Sequence, residues 1–211
     1  MSTLETNLIQ PATGTDLTVG ASGDTVTLGS GATQTGFSNT VKLVDTSASD
    51  ASSVDVDGFF TSDYDTYILY LHGIYNETTA SNAIYARLKT GGSNITSSTY
   101  SEATKGRYAE AAGGGDLHWD EFNTDRFRLT YNNGNTLATS GFIQITFSNP
   151  LDTSTPKKIT WIEAGNLNTT QFEFVAGGGL DSGTAALSGI NIYGNSQNIN
   201  IQKILLYGIR S

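Results

Sequence analysis

The chain has no cysteine among its 211 residues. Disulfides, thiolate nucleophiles and cysteine-ligated zinc are therefore excluded, and stability must come from sheet, core and association. Charge is also scarce. Only 15% of residues carry it, and 11 basic residues face 20 acidic ones, for a net charge of −9. Nucleic-acid binding rests on lysines and arginines that neutralise phosphates, and attachment to a membrane surface rests on a polybasic patch. Neither fits this balance. No apolar run approaches the ~20 residues that a membrane helix needs, so no membrane insertion is expected. The first residues show neither the basic start nor the apolar stretch of a signal peptide. Glycine runs such as "AAGGGD" and "AGGG" lack the lysine and helix of a phosphate-cradling loop, and no RNA-binding signature occurs. No cofactor is implied.

What remains is ordinary globular material with a β bias. Hydrophobic residues make up 37% and glycine contributes 24 positions. A single domain of this length buries roughly 70% of the surface that its unfolded chain exposes. Because charges are few, the polar surface must come from Ser, Thr, Asn and Gln. Long helical periodicity is missing, whereas short alternating runs recur. "TYILYLHGI" (66–74) is apolar on both faces, with Tyr67, Leu69 and Leu71 on one and Ile68, Tyr70 and Ile74 on the other. Such a strand is covered on both sides, either centrally in a sandwich or against a neighbour. "RFRLTY" (126–131), "FIQITF" (142–147), "KITWIEA" (158–164), "QFEFVA" (171–176) and "INIYG" (190–194) read as further strands. "IYARLKT" (84–90) is a weaker strand candidate, with a short helix as the alternative. In "INIQKILLYGI" (199–209) strict alternation would turn Lys203 inward, so a bulge is expected near Gln202 or Lys203. "SEATKGRYAEAA" (101–112) holds helix formers, but Gly106 and the lack of an apolar stripe weaken a helix there. Turn-rich breaks ("NNGN", "SNPLDTSTP", "AGGGLDSG", "YGNSQN") separate these runs. The pattern predicts an all-β fold, an antiparallel jelly-roll β-sandwich over residues 41–211.

Residues 1–40 have a different composition. "LTVGASGDTVTLGSGATQTGF" (17–37) repeats itself: Leu17-Thr18-Val19-Gly20 returns nine residues later as Val26-Thr27-Leu28-Gly29. Each copy is a scrap of strand too small to bury its own apolar face. An extended glycine-rich N-terminal β arm is expected.

The strand block "YDTYILYLHGIYNETTASNAIYARLKTGGSNITSSTY" (64–100) resembles the opening of jelly-roll domains in bacteriophage tail-fibre and other virion proteins. "FIQITFSNP" (142–150) is similar to their strand ending in "NP", and "LSGINIYGNSQNINIQKILLYGIRS" (187–211) to their closing pair. "NLIQPATGTDLTVGASGDTVTLGSGATQTGF" (7–37) resembles N-terminal attachment segments of marine-phage fibres. The resemblance implies a non-enzymatic virion component, attached to tail or head and usually a homotrimer. Its arm would bind other virion proteins, and its projecting domain would be free to meet a host-surface glycan. A capsid decoration protein that stabilises the head, and a carbohydrate-binding module, are the alternatives. Leu17, Val19, Val26 and Leu28 would then be buried against symmetry mates or the particle, at ~1.5–3 kcal/mol for each side chain fully covered. A hairpin folded on the chain's own sandwich is the alternative there.

Candidate chemistry is thin. "DLHWDEFNTD" (116–125) gathers Asp116, His118, Asp120, Glu121 and Asp125, which suit a divalent ion by type. The spacing matches no calcium loop, and a solvated loop between strands is the simpler reading, with no metal. Trp119, with Tyr100 and Tyr108 nearby in sequence, offers flat faces to a sugar; the same residue types also fill sandwich ends and subunit contacts. A general base would have to be His72 or His118, the chain's two histidines. Glu102, Glu110, Glu121 and Glu163 are the carboxylates from which a glycosidase pair would be drawn, but the sequence does not single out two of them. Sequons at Asn76, Asn94 and Asn168 are expected by chance in so Asn-, Ser- and Thr-rich a chain.

Overall fold

Among the described residues, alternating apolar runs separated by Gly, Asn and Ser turns fold into thirteen strands. The computed structural model describes residues 39–78, 82–168 and 170–210. The arm expected over 1–40, with Leu17, Val19, Val26 and Leu28, lies outside the described residues apart from its last two. In chain order the strands are β1 (Thr40–Ala51), β2 (Val54–Asp57), β3 (Thr66–Asn76), β4 (Ile84–Thr90), β5 (Ser93–Asn94), β6 (Tyr100–Glu110), β7 (Gly113–Thr124), β8 (Phe127–Arg128), β9 (Gly141–Ser148), β10 (Lys157–Asn168), β11 (Gln171–Asp181), β12 (Gly189–Gly194) and β13 (Ile199–Ile209). A 3₁₀ turn spans Leu137–Thr139.

Two antiparallel sheets form. The larger has the order β1-β13-β3-β9-β10-β11-β6-β7, and the smaller β2-β12-β4-β5, with β8 also on β4. Four strands of the first sheet (β1, β13, β3, β9) face four of the second (β2, β12, β4, β8), with the chain winding alternately between sheets from both of its ends. That is the jelly-roll connection. The other four strands of the large sheet are two inserted hairpins. One, β6–β7, enters between β5 and β8; the other, β10–β11, enters between β9 and β12. They join through β11 and β6, where Phe174 opposes Arg107 and Gly178 opposes Ala103.

The core lies under the jelly-roll half. Tyr67, Leu69 and Leu71 of β3, Ile143 and Ile145 of β9 and Ile204 of β13 pack against Ile84, Leu88, Ile190 and Ile192 of the smaller sheet, all at most 1% exposed. Full burial of each such side chain contributes ~1.5–3 kcal/mol. Period-two alternation places them: every second residue of β3 from Tyr67 to Leu71 points inward, and those between point out.

The parity problem in the last strand is resolved where the sequence suggested. Ile199 and Ile201 are buried, and so are Ile204 and Leu206, while Gln202 and Lys203 are exposed. β3 changes parity at the same level, at Gly73, which has φ of +61°. The Gln202 side chain lies where a Cβ on Gly73 would stand, at 2.7 Å, so both conformation and space demand glycine. The pairings of β13 with β1 and of β3 with β9 each shift register at this level.

One expectation is corrected. Residues 116–124 are not a loop: they belong to β7, which forms a hairpin with β6, paired from Tyr100↔Thr124 to Glu110↔Gly113, and 101–110 are strand, in keeping with the weakness of the helix signal there. On β6 the inward positions include Glu102, Thr104 and Gly106, which hide the alternation from a reading based on hydrophobicity. Of "RFRLTY" only Phe127–Arg128 is strand.

Candidate interaction face

The residues proposed for sugar contact do not form one site. Tyr100 is fully buried in the main core, edge-on to Phe127 at 4.7 Å. Its hydroxyl donates to the Ile95 carbonyl (3.1 Å) and accepts from the Leu88 amide (3.0 Å), and burial raises its pKa. It has no face for a ligand. Trp119 belongs to a small second cluster with Leu117 and Val175, and Tyr108 packs against that cluster. Trp119 is 8% exposed, and the Arg128 guanidinium covers its ring at 5.0 Å. These aromatic residues fill the inserted hairpins.

The polar cluster of 116–125 is dispersed by its own strand geometry. Asp116, His118 and Asp120 alternate on the outer face of β7, Glu121 points inward, and Asp125 pairs with Arg87. Among the described residues no group of three His, Cys, Asp or Glu side chains is placed to hold a metal ion. His72 is exposed on the outer face of β3, stacked on Tyr70 at 6.0 Å and tilted against Phe142 at 4.9 Å.

Of the candidate carboxylates, Glu102 and Glu121 stand directly opposite each other across β6 and β7. Glu102 is 4% exposed and accepts a 2.9 Å hydrogen bond from the Arg128 amide. Burial pushes its pKa up to about 8, and the nearby Glu121 charge adds to the rise. Glu163 and Glu173 are a second buried pair, each 1% exposed, on adjoining strands. Glu173 accepts from the Asn132 amide at 2.9 Å, whereas neither Glu163 oxygen has a hydrogen-bond partner among the described residues. Burial raises both pKa values, and the Glu173 charge raises that of Glu163 further. The Arg128 and Asn132 amides close over Glu102 and Glu173, and Glu163 is buried near Glu173, so these groups belong to the interior. Glu110 is exposed near the hairpin tip.

The face that stands out is the outer one of the large sheet. Ile68, Tyr70 and His72 of β3, Phe142 of β9, and Leu205 and Tyr207 of β13 line a shallow hollow of about 470 Å³. Tyr70 sits at its centre, 6.0 Å from the Phe142 ring and 5.9 Å from that of Tyr207. Further along the same face, Ile162, Phe172 and Phe174 project from β10 and β11, at 38%, 47% and 44% exposed. Of the described outward side chains on the four central strands β3, β9, β10 and β11, none is acidic and one, Lys158, is basic. Charges collect on the flanking strands. Asp45 bridges Lys42 and Lys203 at 2.7 Å each on one side, and Arg107 lies 3.5 Å from Asp116 on the other. An apolar centre inside a charged rim is the anatomy of a protein interface, and contiguous apolar patches mark interaction sites. The sequence signal for it was the two-sided apolarity of "TYILYLHGI". The jelly-roll core buries one side; the other is this face.

No family model, no curated protein and no solved structure matches this chain.

Proposed function

We propose that the protein is a non-enzymatic structural component of a bacteriophage particle, a fibre or spike protein that works as a homotrimer. In this reading residues 1–40 fasten the chain to other virion proteins and to its own copies. The jelly-roll projects and presents its loops to the host surface. The observation that carries the proposal is the apolar outer face of the eight-stranded sheet. It is aromatic and rimmed by charge, the described outward side chains of its four central strands include no carboxylate, and it suits protein contact better than chemistry. The likeness of 64–100, 142–150 and 187–211 to phage jelly-roll domains supports the assignment to a virion.

Two measurements test it. Light scattering on the full-length chain at micromolar concentration is expected to give three times the 22.3 kDa chain mass; a monodisperse monomer overturns the trimer. Immunogold labelling of phage particles with antibody to this chain is expected to decorate the virion. Label on the tail assigns a fibre, label on the head a decoration protein, and unlabelled particles remove the virion reading altogether. A glycan array asks separately whether the loops hold a receptor sugar.

A further inference from the structure

We infer that the seam between residues 127–134 and the inserted hairpins is a pH-sensitive latch. It is shut while Glu163 and Glu173 lie in the interior as neutral acids and opens when they ionise, with the jelly-roll half left folded. The latch stands apart from the virion reading above. Strand register places the pair. Glu173 is opposite Gly165 across β11 and β10, and Glu163 is opposite Val175, one inward position away. A Cβ on Gly165 would be 2.5 Å from Glu163 Oε1, so the glycine leaves the space into which that carboxyl leans, on the side of Glu173. Both residues are 1% exposed. Both oxygens of Glu163 and Oε2 of Glu173 have no hydrogen-bond partner among the described residues, and no salt bridge among them reaches either carboxyl.

The surroundings cannot neutralise two charges. β9 supplies Ile143 and Gly141, β11 supplies Val175, and β6 supplies Tyr108, opposite Glu173. The buried lysine of β10, Lys157, is roughly 20 Å along the strand from Glu163 at ~3.3 Å per residue, and its ammonium donates to the Thr155 carbonyl. The segment 127–134 brings Tyr131 and Arg128, whose guanidinium donates to the Thr130 and Tyr131 carbonyls at 3.1 and 2.6 Å and lies on the Trp119 ring. Glu102, on the same seam, faces the like charge of Glu121. Adjacent buried carboxylates without a counter-ion do not both ionise in place; they hold protons or water reaches them.

Water enters where the hold is weakest. On the sheet side, β10 and β11 are laddered to each other and to β9 and β6. The segment is tied to the jelly-roll half by the Leu129 amide on the Ile84 carbonyl (2.9 Å), the Ile84 amide on the Thr130 hydroxyl (3.0 Å), the Asn133 side chain on the Ile74 carbonyl (3.2 Å) and the Asn76 amide on the Gly134 carbonyl (2.9 Å). Its Arg128 and Asn132 amides hold the hairpins, and both end on buried carboxyls, Glu102 and Glu173. The segment thus belongs with the jelly-roll, and the hairpins are fastened to it through groups that ionise. Parting them uncovers the hairpins and leaves the core between the sheets in place, as local opening of a weakly held unit does.

Trp119 reports on the seam, because Arg128 and Tyr131 of the segment lie 5.0 and 6.1 Å from its ring. Tyr67, fully buried in the jelly-roll core, is the reference. The full-length protein is given brief hydroxyl-radical pulses at about pH 6 and about pH 9, and oxidation of each residue is followed by peptide mass spectrometry. Oxidation of Trp119 is expected to rise severalfold at the higher pH, with that of Tyr67 unchanged. Full-length Glu163→Gln, with unchanged β-sheet circular dichroism, is expected to lose most of that rise. Trp119 equally protected at both pH values overturns the latch. A rise at Tyr67 in step with Trp119 means that the whole chain unfolds, and overturns it too. A Glu163→Gln chain that opens as wild type does removes the pair as its cause. Should that variant fail to fold, Glu173→Gln takes its place, and the wild-type contrast between Trp119 and Tyr67 stands by itself as a test.

Discussion

The two halves of the large sheet bury their inner faces by different means. Under β1, β13, β3 and β9 lies a second sheet, and the space between is filled with Leu, Ile, Tyr and Phe. Beneath β10, β11, β6 and β7 lies a single length of chain, residues 127–134. There Phe127 packs against Tyr100 and Trp161, at 4.7 and 5.9 Å between rings, and beside that apolar contact stand specific polar ones: the Arg128 amide on Glu102 and the Asn132 amide on Glu173. The jelly-roll half gains stability from apolar area, which is non-directional. The inserted half depends on groups that are costly when left unpaired. The same sheet is therefore robust at one end and conditional at the other.

Cavity-forming substitutions should give the largest difference. Leu71→Ala, in the fully buried jelly-roll core, is expected to cost about 2–5 kcal/mol. Leu117→Ala, in the small cluster on the edge strand, is expected at or below the lower end of that range, because the site collapses more easily. Urea denaturation of both measures it, and equal losses erase the distinction between the halves.

Protonation should sharpen the comparison next. The folded pKa values of Glu102, Glu163 and Glu173 are raised above the ordinary 4.5. A carboxyl that holds its proton more tightly when folded contributes its full stability below that ordinary value and loses it as pH rises through the folded one. For Glu102 that loss extends to about pH 8. Stability is thus expected to fall from about pH 5 to about pH 9. The slope is ~1.4 kcal/mol per pH unit for each carboxyl that is protonated in the folded chain and ionised in the unfolded one. Glu163→Gln, which cannot ionise, should flatten the fall without greatly altering stability at the acidic end. Urea midpoints across that range, identical in slope for wild type and variant, would remove Glu163 from the account.

The three-glycine run in β11 offers a finer probe. Inward Gly177 and Gly179 let Trp161 and Phe127 lie on the strand; added Cβ atoms would meet those rings at 2.5 and 2.3 Å. Gly177→Ala and Gly179→Ala are each expected to cost about 1–3 kcal/mol by overpacking. Gly178→Ala, facing outward, should stay within about 0.5 kcal/mol. Thermal melts of the three variants should rank that way. Smallest of all is the ion pair Arg107–Asp116, whose side chains are 73% and 66% exposed. Arg107→Ala should change stability by less than about 1 kcal/mol, and a larger loss would give the hairpin surface a role it lacks here.

The jelly-roll half was legible where its strands alternate in hydrophobicity, from β3 on, whereas β1 and β2 were not. The run at 84–90, the weaker strand candidate, is β4, and the run at 199–209 is β13 with its change of parity at Gln202–Lys203. Of the inserted half, the runs read at 158–164 and 171–176 fall within β10 and β11, but β6 and β7 were not legible. β6 turns Glu102, Thr104 and Gly106 inward, so its buried face looks polar, and its helix formers gave the contrary signal. β7 reads as a loop because glycines and polar residues dominate it around Leu117, Trp119 and Phe122. Tyr100 and Trp119 looked like exposed aromatics because they stand among polar neighbours in sequence. Burial depends on what folds over a strand, and for these that cover comes from residues further along the chain.

By itself the sequence determined an antiparallel all-β chain without disulfides, because period-two patterning and turn chemistry act over a few neighbouring residues. It also marked β3 as apolar on both sides, which is a local property. Only the tertiary structure decided that β6, β7, β10 and β11 extend one sheet to eight strands. It alone buried Glu102, Glu163 and Glu173, and gathered Tyr70, Phe142 and Tyr207 into one outward face. Those outcomes depend on which strands become neighbours, and pairing between residues far apart in the chain leaves no trace in the spacing of any one segment.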